Sequence, residues 1–117
     1  MRSILHPVQH AQLKFYLNAA CVDPSDVDNS FVEHLLGLHK ELPAGVRLLL
    51  LAFDYTYDEQ GGQQKEKSAF HTPNDHAASV ARLHPRQFEW IASIHPYRQD
   101  CVEALQKAVK QKARAVK

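Results

Sequence analysis

Asp54 and His95 are the side chains in this sequence best placed to act together. Asp54 follows the apolar run Val46-Arg47-Leu48-Leu49-Leu50-Leu51-Ala52-Phe53, and His95 follows the alternating, aromatic-rich Phe88-Glu89-Trp90-Ile91-Ala92-Ser93-Ile94. If both runs are neighbouring strands of one parallel sheet, both residues leave at carboxyl ends, the side on which open α/β sheets bind ligands. A carboxylate and an imidazole there can bind a small-molecule substrate or hold a metal. Each has a plainer reading. Asp54 heads an acidic stretch with Tyr55, Tyr57, Asp58 and Glu59, which would also suit a solvated loop. His95 precedes Pro96 and would also suit a ring bonded to a backbone carbonyl.

The remaining candidates are weaker by spacing. His6 and His10 stand four apart, which sets two imidazoles on one helical face, but a zinc or nickel site needs a third ligand. His71 and His76 flank Thr72-Pro73-Asn74-Asp75, which reads as a helix start, and His34 and His39 fall on different faces of a helix. Cys21 and Cys101 lie 80 residues apart with no CxxC spacing. Both sit on apolar helical stripes, where a buried, inert thiol is expected. The chain has no GxSxG, no glycine-rich phosphate loop and no HExxH.

Seven elements would position these residues. Pro7 suits a first helical turn, and Val8, Ala11, Phe15, Ala19 and Val22 recur at three- and four-residue spacing, predicting a helix over about 7–21. Asp23-Pro24-Ser25-Asp26 ends it. Ser30 with Glu33 reads as a capping box, and Phe31, Val32, Leu35, Leu36 and Leu42 give the second helix its stripe. After Pro43-Ala44-Gly45, the run Val46–Phe53 has the length and continuity of a strand covered on both faces.

Residues 54–71 read as a long polar loop, of a length that is usually functional. Thr72 then supplies a hydroxyl cap and Pro73 a first-turn proline for a helix to about Leu83, limited by Pro85. Phe88–Ile94 alternates as a strand. Asp100 and Glu103 cap a last helix with Cys101, Val102, Leu105, Ala108 and Val109 inward, and Ala113–Lys117 opens another strand. The order α-α-β-α-β-α-β predicts an α/β fold whose parallel sheet is joined by right-handed crossovers, in one domain spanning 1–117.

Composition excludes several classes. The 117 residues are 44% hydrophobic and 23% charged, an ordinary globular balance, and this length buries a core without help from disulfides or metals. No run approaches the ~20 apolar residues of a membrane span, and the N-terminus has no secretory apolar region, so no membrane partner and a reducing, cytoplasmic setting are expected. The net charge of +1 gives no ground for a nucleic-acid partner. Its distribution is uneven: residues 1–60 carry 4 basic and 8 acidic side chains, residues 61–117 carry 10 and 5. Lys107, Lys110, Lys112, Arg114 and Lys117 close the chain, mostly where cations complement the carbonyl-rich end of a helix. A phosphate-binding patch is the alternative.

Several strings together resemble a known family. They are Ala52-Phe53-Asp54, Phe70-His71-Thr72-Pro73-Asn74-Asp75, Ala81-Arg82-Leu83-His84-Pro85-Arg86-Gln87-Phe88, Ser93-Ile94-His95-Pro96-Tyr97, and Ala104-Leu105 through Ala113-Arg114-Ala115-Val116-Lys117. Their succession resembles the interior of a metal-dependent amidohydrolase of the kind related to aminocarboxymuconate-semialdehyde decarboxylase. The resemblance covers roughly residues 46–117 and rests on framework features.

It implies a (β/α)8 barrel of about 250 residues or more, with the active site at the carboxyl ends of the strands. This chain would supply about three of the eight strands. The family's His-x-His is not among the eight histidines, at 6, 10, 34, 39, 71, 76, 84 and 95. The expectation is therefore a partial TIM-barrel-like fragment, inactive or nearly so alone, of an enzyme in which zinc or manganese activates water for attack on a C–N or C–O bond. By the same resemblance Lys117 falls where some amidohydrolases carry a carboxylated, metal-bridging lysine. The competing expectation is a small α/β binding or interaction module without catalytic activity, self-associating through exposed sheet edges.

Overall fold

The computed structural model describes residues 7–68 and 70–117. His6, one half of the His6/His10 pair, lies outside them. The chain divides into two compact units, one reaching to Pro43 and the other comprising Ala44–Lys117.

The first unit holds α1 (Pro7–Ala19) and α2 (Val27–His39). Helix α1 ends in a Schellman motif: the Val22 N–H donates to Leu17 O and the Cys21 N–H to Asn18 O, with Cys21 at φ 54°. Cys21 is therefore exposed and left-handed rather than buried on the helical stripe. The capping box does not form either. Helix α2 begins at Val27, and Ser30 Oγ instead accepts from the Asp23 N–H at 2.8 Å. Asp23 Oδ1 accepts from the Ser25 N–H and Oγ–H, which hold its carboxyl below the usual range. Neither helix buries a residue: Val8 and Phe15 are 68% and 69% exposed. Among the described residues of this unit only Val22, just past α1, is buried.

The second unit carries the sheet. Strands β1 (Leu48–Leu51), β2 (Phe88–Ala92) and β3 (Ala115–Val116) lie in the order β1-β2-β3, all parallel, with Leu48 opposite Phe88 and Ile91 opposite Ala115. Helix α3 (Asn74–Leu83) connects β1 to β2 and α4 (Cys101–Lys110) connects β2 to β3. Phe88 and Trp90 are the largest fully buried side chains, and Ala52, Ala92, Ala77, Ala78, Ala81 and Ala108 surround them. Alanines on the helices let them approach the sheet closely, so the two rings fill the interlayer space. The buried indole N–H donates to Gln111 O at 3.0 Å, as a buried donor must.

Several expectations need correction here. β1 is not covered on both faces: Leu49 and Leu51 are 51% and 47% exposed, because α3 lies against the face carrying Phe88 and Trp90. Of the stripe expected on α4 only Ala108 is buried, while Val102, Leu105 and Val109 are exposed. Thr72 does not cap α3. It exchanges two backbone hydrogen bonds of 2.9 Å with Phe53, and Pro73 takes the cap position. Asp100 stands at the start of α4 with no side-chain cap bond. The long polar loop is organised: Tyr57 and Gln63 form an antiparallel bridge, Asp58 Oδ1 accepts from the Gln60 and Gly62 N–H groups, and a 3-10 turn covers Lys65–Lys67.

Candidate functional site

At the carboxyl ends of the strands, Asn74 in the first turn of α3 bridges to β2. Its Nδ2–H donates to Ser93 O and its Oδ1 accepts from the Ser93 N–H, both at 2.9 Å. Ser93 Oγ in turn accepts from the Asp54 N–H at 3.0 Å. One amide therefore fixes where β1 and β2 release their next residues.

From that anchor the Asp54 carboxylate reaches inward, its side chain only 6% exposed. Oδ1 accepts from the Tyr55 N–H at 2.9 Å; Oδ2 accepts from the His95 N–H and from Arg98 Nη1, each at 3.0 Å. The remaining guanidinium edge makes a two-pronged pair with Asp100, Nε to Oδ1 at 2.8 Å and Nη2 to Oδ2 at 2.9 Å. Those bonds hold the Asp100 carboxyl low against the opposing effect of burial. They also raise the Arg98 pKa, with Asp54 adding to the effect and burial working against it. Planar, charge-assisted pairing of this kind sets orientation as well as energy.

Asp54 and His95 are thus brought together across neighbouring strands, but carboxylate meets backbone amide and not imidazole. The imidazole is oriented separately. His95 Nδ1 accepts from the Tyr97 N–H at 3.1 Å, so the neutral ring carries its proton on Nε2. The ring lies 5.5 Å from Tyr57 and 5.4 Å from Tyr97, centroid to centroid. Tyr57 is supplied by the Asp58 hairpin, whose Gly61, at φ 82°, sits so near the 97–99 segment that a Cβ would lie 3.0 Å from Tyr97 O. Arg98 faces the Tyr57 ring at 5.8 Å. A stacked pair, Tyr55 on His71 at 3.6 Å between centroids, stands in the same loop.

Lys117 follows β3. Its N–H donates to Ala92 O, its carbonyl accepts from the Ile94 N–H, and its ammonium stands 3.4 Å from the centroid of the Phe53 ring. A cleft of about 320 Å³ opens beside the knot, lined in part by Asp54, His71, Asn74, Arg98, Glu103 and Lys107.

The donors at this edge do not fit a resident catalytic metal. Asp54 is taken by three N–H donors and His95 Nδ1 by a fourth. Among the described residues no three His, Cys, Asp or Glu side chains converge. No helix among them is long and apolar enough to cross a membrane.

Sequence reasoning missed Arg98, Ser93, Tyr57 and Tyr97, and it took Asn74 only for a helix opener. A signal for Arg98 existed: it is an arginine between a strand end and Asp100, in the loop that His95 begins.

The strand order, with α3 and α4 in successive crossovers, defines an α/β unit wound in one direction. Asp54, Asn74, Ser93, His95 and Arg98 gather at its carboxyl edge. Comparison with protein-family models, with curated proteins and with solved structures finds no match to this sequence.

Proposed function

We propose that residues 44–117 form the substrate-positioning part of a (β/α)8-barrel hydrolase of amidohydrolase type. The observation that carries this reading is the sheet itself. Its parallel strands run in chain order, the aromatic core lies on the helix-covered face, and Leu49 and Leu51 open on the other, where a barrel has its interior. In that setting the carboxyl edge is the reacting side. The His95 ring donates through Nε2–H to a carbonyl or leaving-group oxygen, and the Asp54–Arg98–Asp100 knot holds the strap that presents it. Zinc or manganese chemistry would require ligands from beyond the described residues.

The test is turnover of the lactone dihydrocoumarin and the anilide 4-nitroacetanilide by the purified chain, alone and with zinc or manganese added. The expected result is weak residual hydrolysis, as for a site nearly inactive alone, that falls by up to about a hundredfold in His95→Ala, the scale of losing one donor to a developing oxyanion, with the variant still folded by circular dichroism. Equal turnover in wild type and His95→Ala would reject the role.

One observation favours the second reading, a non-catalytic α/β module that self-associates: the Asp54 carboxylate has three donors of its own and little left for a ligand. That reading expects no hydrolysis under any of these conditions, with sedimentation that depends on protein concentration as open sheet edges pair.

A further inference from the structure

At the opposite end of the sheet a groove of about 660 Å³ runs between α3 and α4, within the ~300–1,000 Å³ typical of small-molecule sites. Its floor and near walls are apolar: Ala78, Ala81 and Pro85, with Phe88 and Trp90 beneath. One end is closed by a strut across the two helices, in which Lys107 Nζ and Gln111 Nε2 donate to the Asp75 carboxylate at 3.0 and 3.2 Å.

Five cations line this groove, Arg47, Arg82, Lys110, Lys112 and Arg114, against two carboxylates, Asp75 and Glu89. The plain explanation is that these cations offset the helix C-termini. Magnitudes show that it accounts for only part of them. Each C-terminus is worth about half a negative charge, so two of them with the two carboxylates leave about two positive charges uncompensated. The carboxylates are also engaged already: Asp75 by the strut, Glu89 by Arg47 at 2.9 Å and Arg114 at 3.0 Å. Arg82, Lys110 and Lys112 are exposed and make no ion pair with the described residues. Ser79 adds a hydroxyl on the α3 wall.

We propose that this groove binds a small organic dianion, an apolar body carrying a phosphate-like group, with the body against Ala78, Ala81 and Pro85 and the charge among Arg82, Lys110 and Lys112. The cations come from the entries to β1 and β3 and the ends of α3 and α4, and they ring one concavity. That favours a compact ligand over an extended acidic peptide, which would call for a stripe. The inference is independent of the hydrolase reading, since no residue of the Asp54 knot lines this groove.

Trp90, the single tryptophan of the chain, lines the groove and reports on it. The experiment titrates the full chain with phenyl phosphate above about pH 7, where the probe is a dianion, following indole fluorescence. Benzyl alcohol, inorganic phosphate and an octaglutamate peptide serve as parallel arms. A saturable change with phenyl phosphate is expected, weakening as salt is raised and absent with benzyl alcohol. Affinity should fall at least about tenfold in Arg82→Gln/Lys112→Gln, the scale of losing charged hydrogen bonds, and rise in Glu89→Gln, which releases Arg47 and Arg114. The proposal is overturned by no saturable change, by undiminished affinity in the double variant, by inorganic phosphate binding as tightly as phenyl phosphate, or by binding of octaglutamate alone. Circular dichroism of each variant confirms that the substituted proteins are folded.

Discussion

The two ends of the sheet handle charge in opposite ways. At the carboxyl edge every charged group of the knot is hydrogen-bonded within it: the Asp54 carboxylate takes three donors, and Arg98 is divided between Asp54 and Asp100. At the amino-end groove, three cations make no ion pair with the described residues. A saturated network fixes a backbone and positions a neighbour such as His95. An unsaturated one leaves attraction to spend on a ligand. The difference teaches that the most chemically suggestive residue in a sequence can be its most structurally committed one.

Substitutions at four positions break or sharpen this contrast, in falling order of effect. Asp54→Ala should cost about 3 kcal/mol, because it leaves Nη1 of Arg98 and the Tyr55 and His95 amides without their acceptor while Asp100 keeps the other guanidinium edge; Asp54→Asn, which keeps an acceptor, should cost less. Urea unfolding followed by Trp90 fluorescence measures both, and a loss under about 1 kcal/mol would mean the knot is not structural. Asn74→Ala should cost about 2 kcal/mol by stranding the Ser93 N–H and C=O, read from the same unfolding curves. If instead it proves neutral, the bridge between α3 and β2 contributes nothing.

Lys112→Gly should act in the other direction. Lys112 occupies the left-handed position of a Schellman motif at φ 62°, with the Ala113 N–H donating to Ala108 O and the Lys112 N–H to Val109 O. Glycine there should raise stability by about 0.5–1 kcal/mol while weakening phenyl phosphate binding, so stability and binding separate at one residue. A drop in the thermal midpoint would show that the lysine side chain, not its backbone, dominates.

The smallest effect is pH-dependent. Hydrogen bonds from Lys107, then Gln111, hold the Asp75 carboxyl below its ordinary range. A depressed folded pKa adds stability that is present above the unfolded value near ~3.9 and is lost as pH falls through the lower folded value. Stability of Lys107→Met should therefore decline less steeply than wild type below about pH 4; parallel acid profiles for the two proteins would dismiss the strut as a surface contact.

The alternation of elements was readable along the chain because hydrophobic period is a local property. The α-α-β-α-β-α-β order and the parallel sheet follow from it, and so does the placement of Asp54 and His95 at neighbouring strand ends. Caps were read less well. Ser30, Thr72 and Asp100 are all of cap-forming types, yet each binds a different partner: the Asp23 N–H, the Phe53 backbone and the Arg98 guanidinium. A side-chain type states which bonds it can make, and tertiary neighbours decide which it does make. For the same reason the stripes of α1 and α4 predicted helices correctly while predicting burial poorly, since the partner surface is not encoded in the stripe.

What the amino acids determined by themselves is therefore the set of elements, the parallel pairing and the residues that arrive at each end of the sheet. What the tertiary structure alone decided is which of those residues are spent on holding the fold. Asn74, Ser93, Asp54 and Arg98 are separated by 19 to 44 positions in their mutual hydrogen bonds. Bonds across such distances exist only after strand pairing has set their geometry, so no local pattern can announce them.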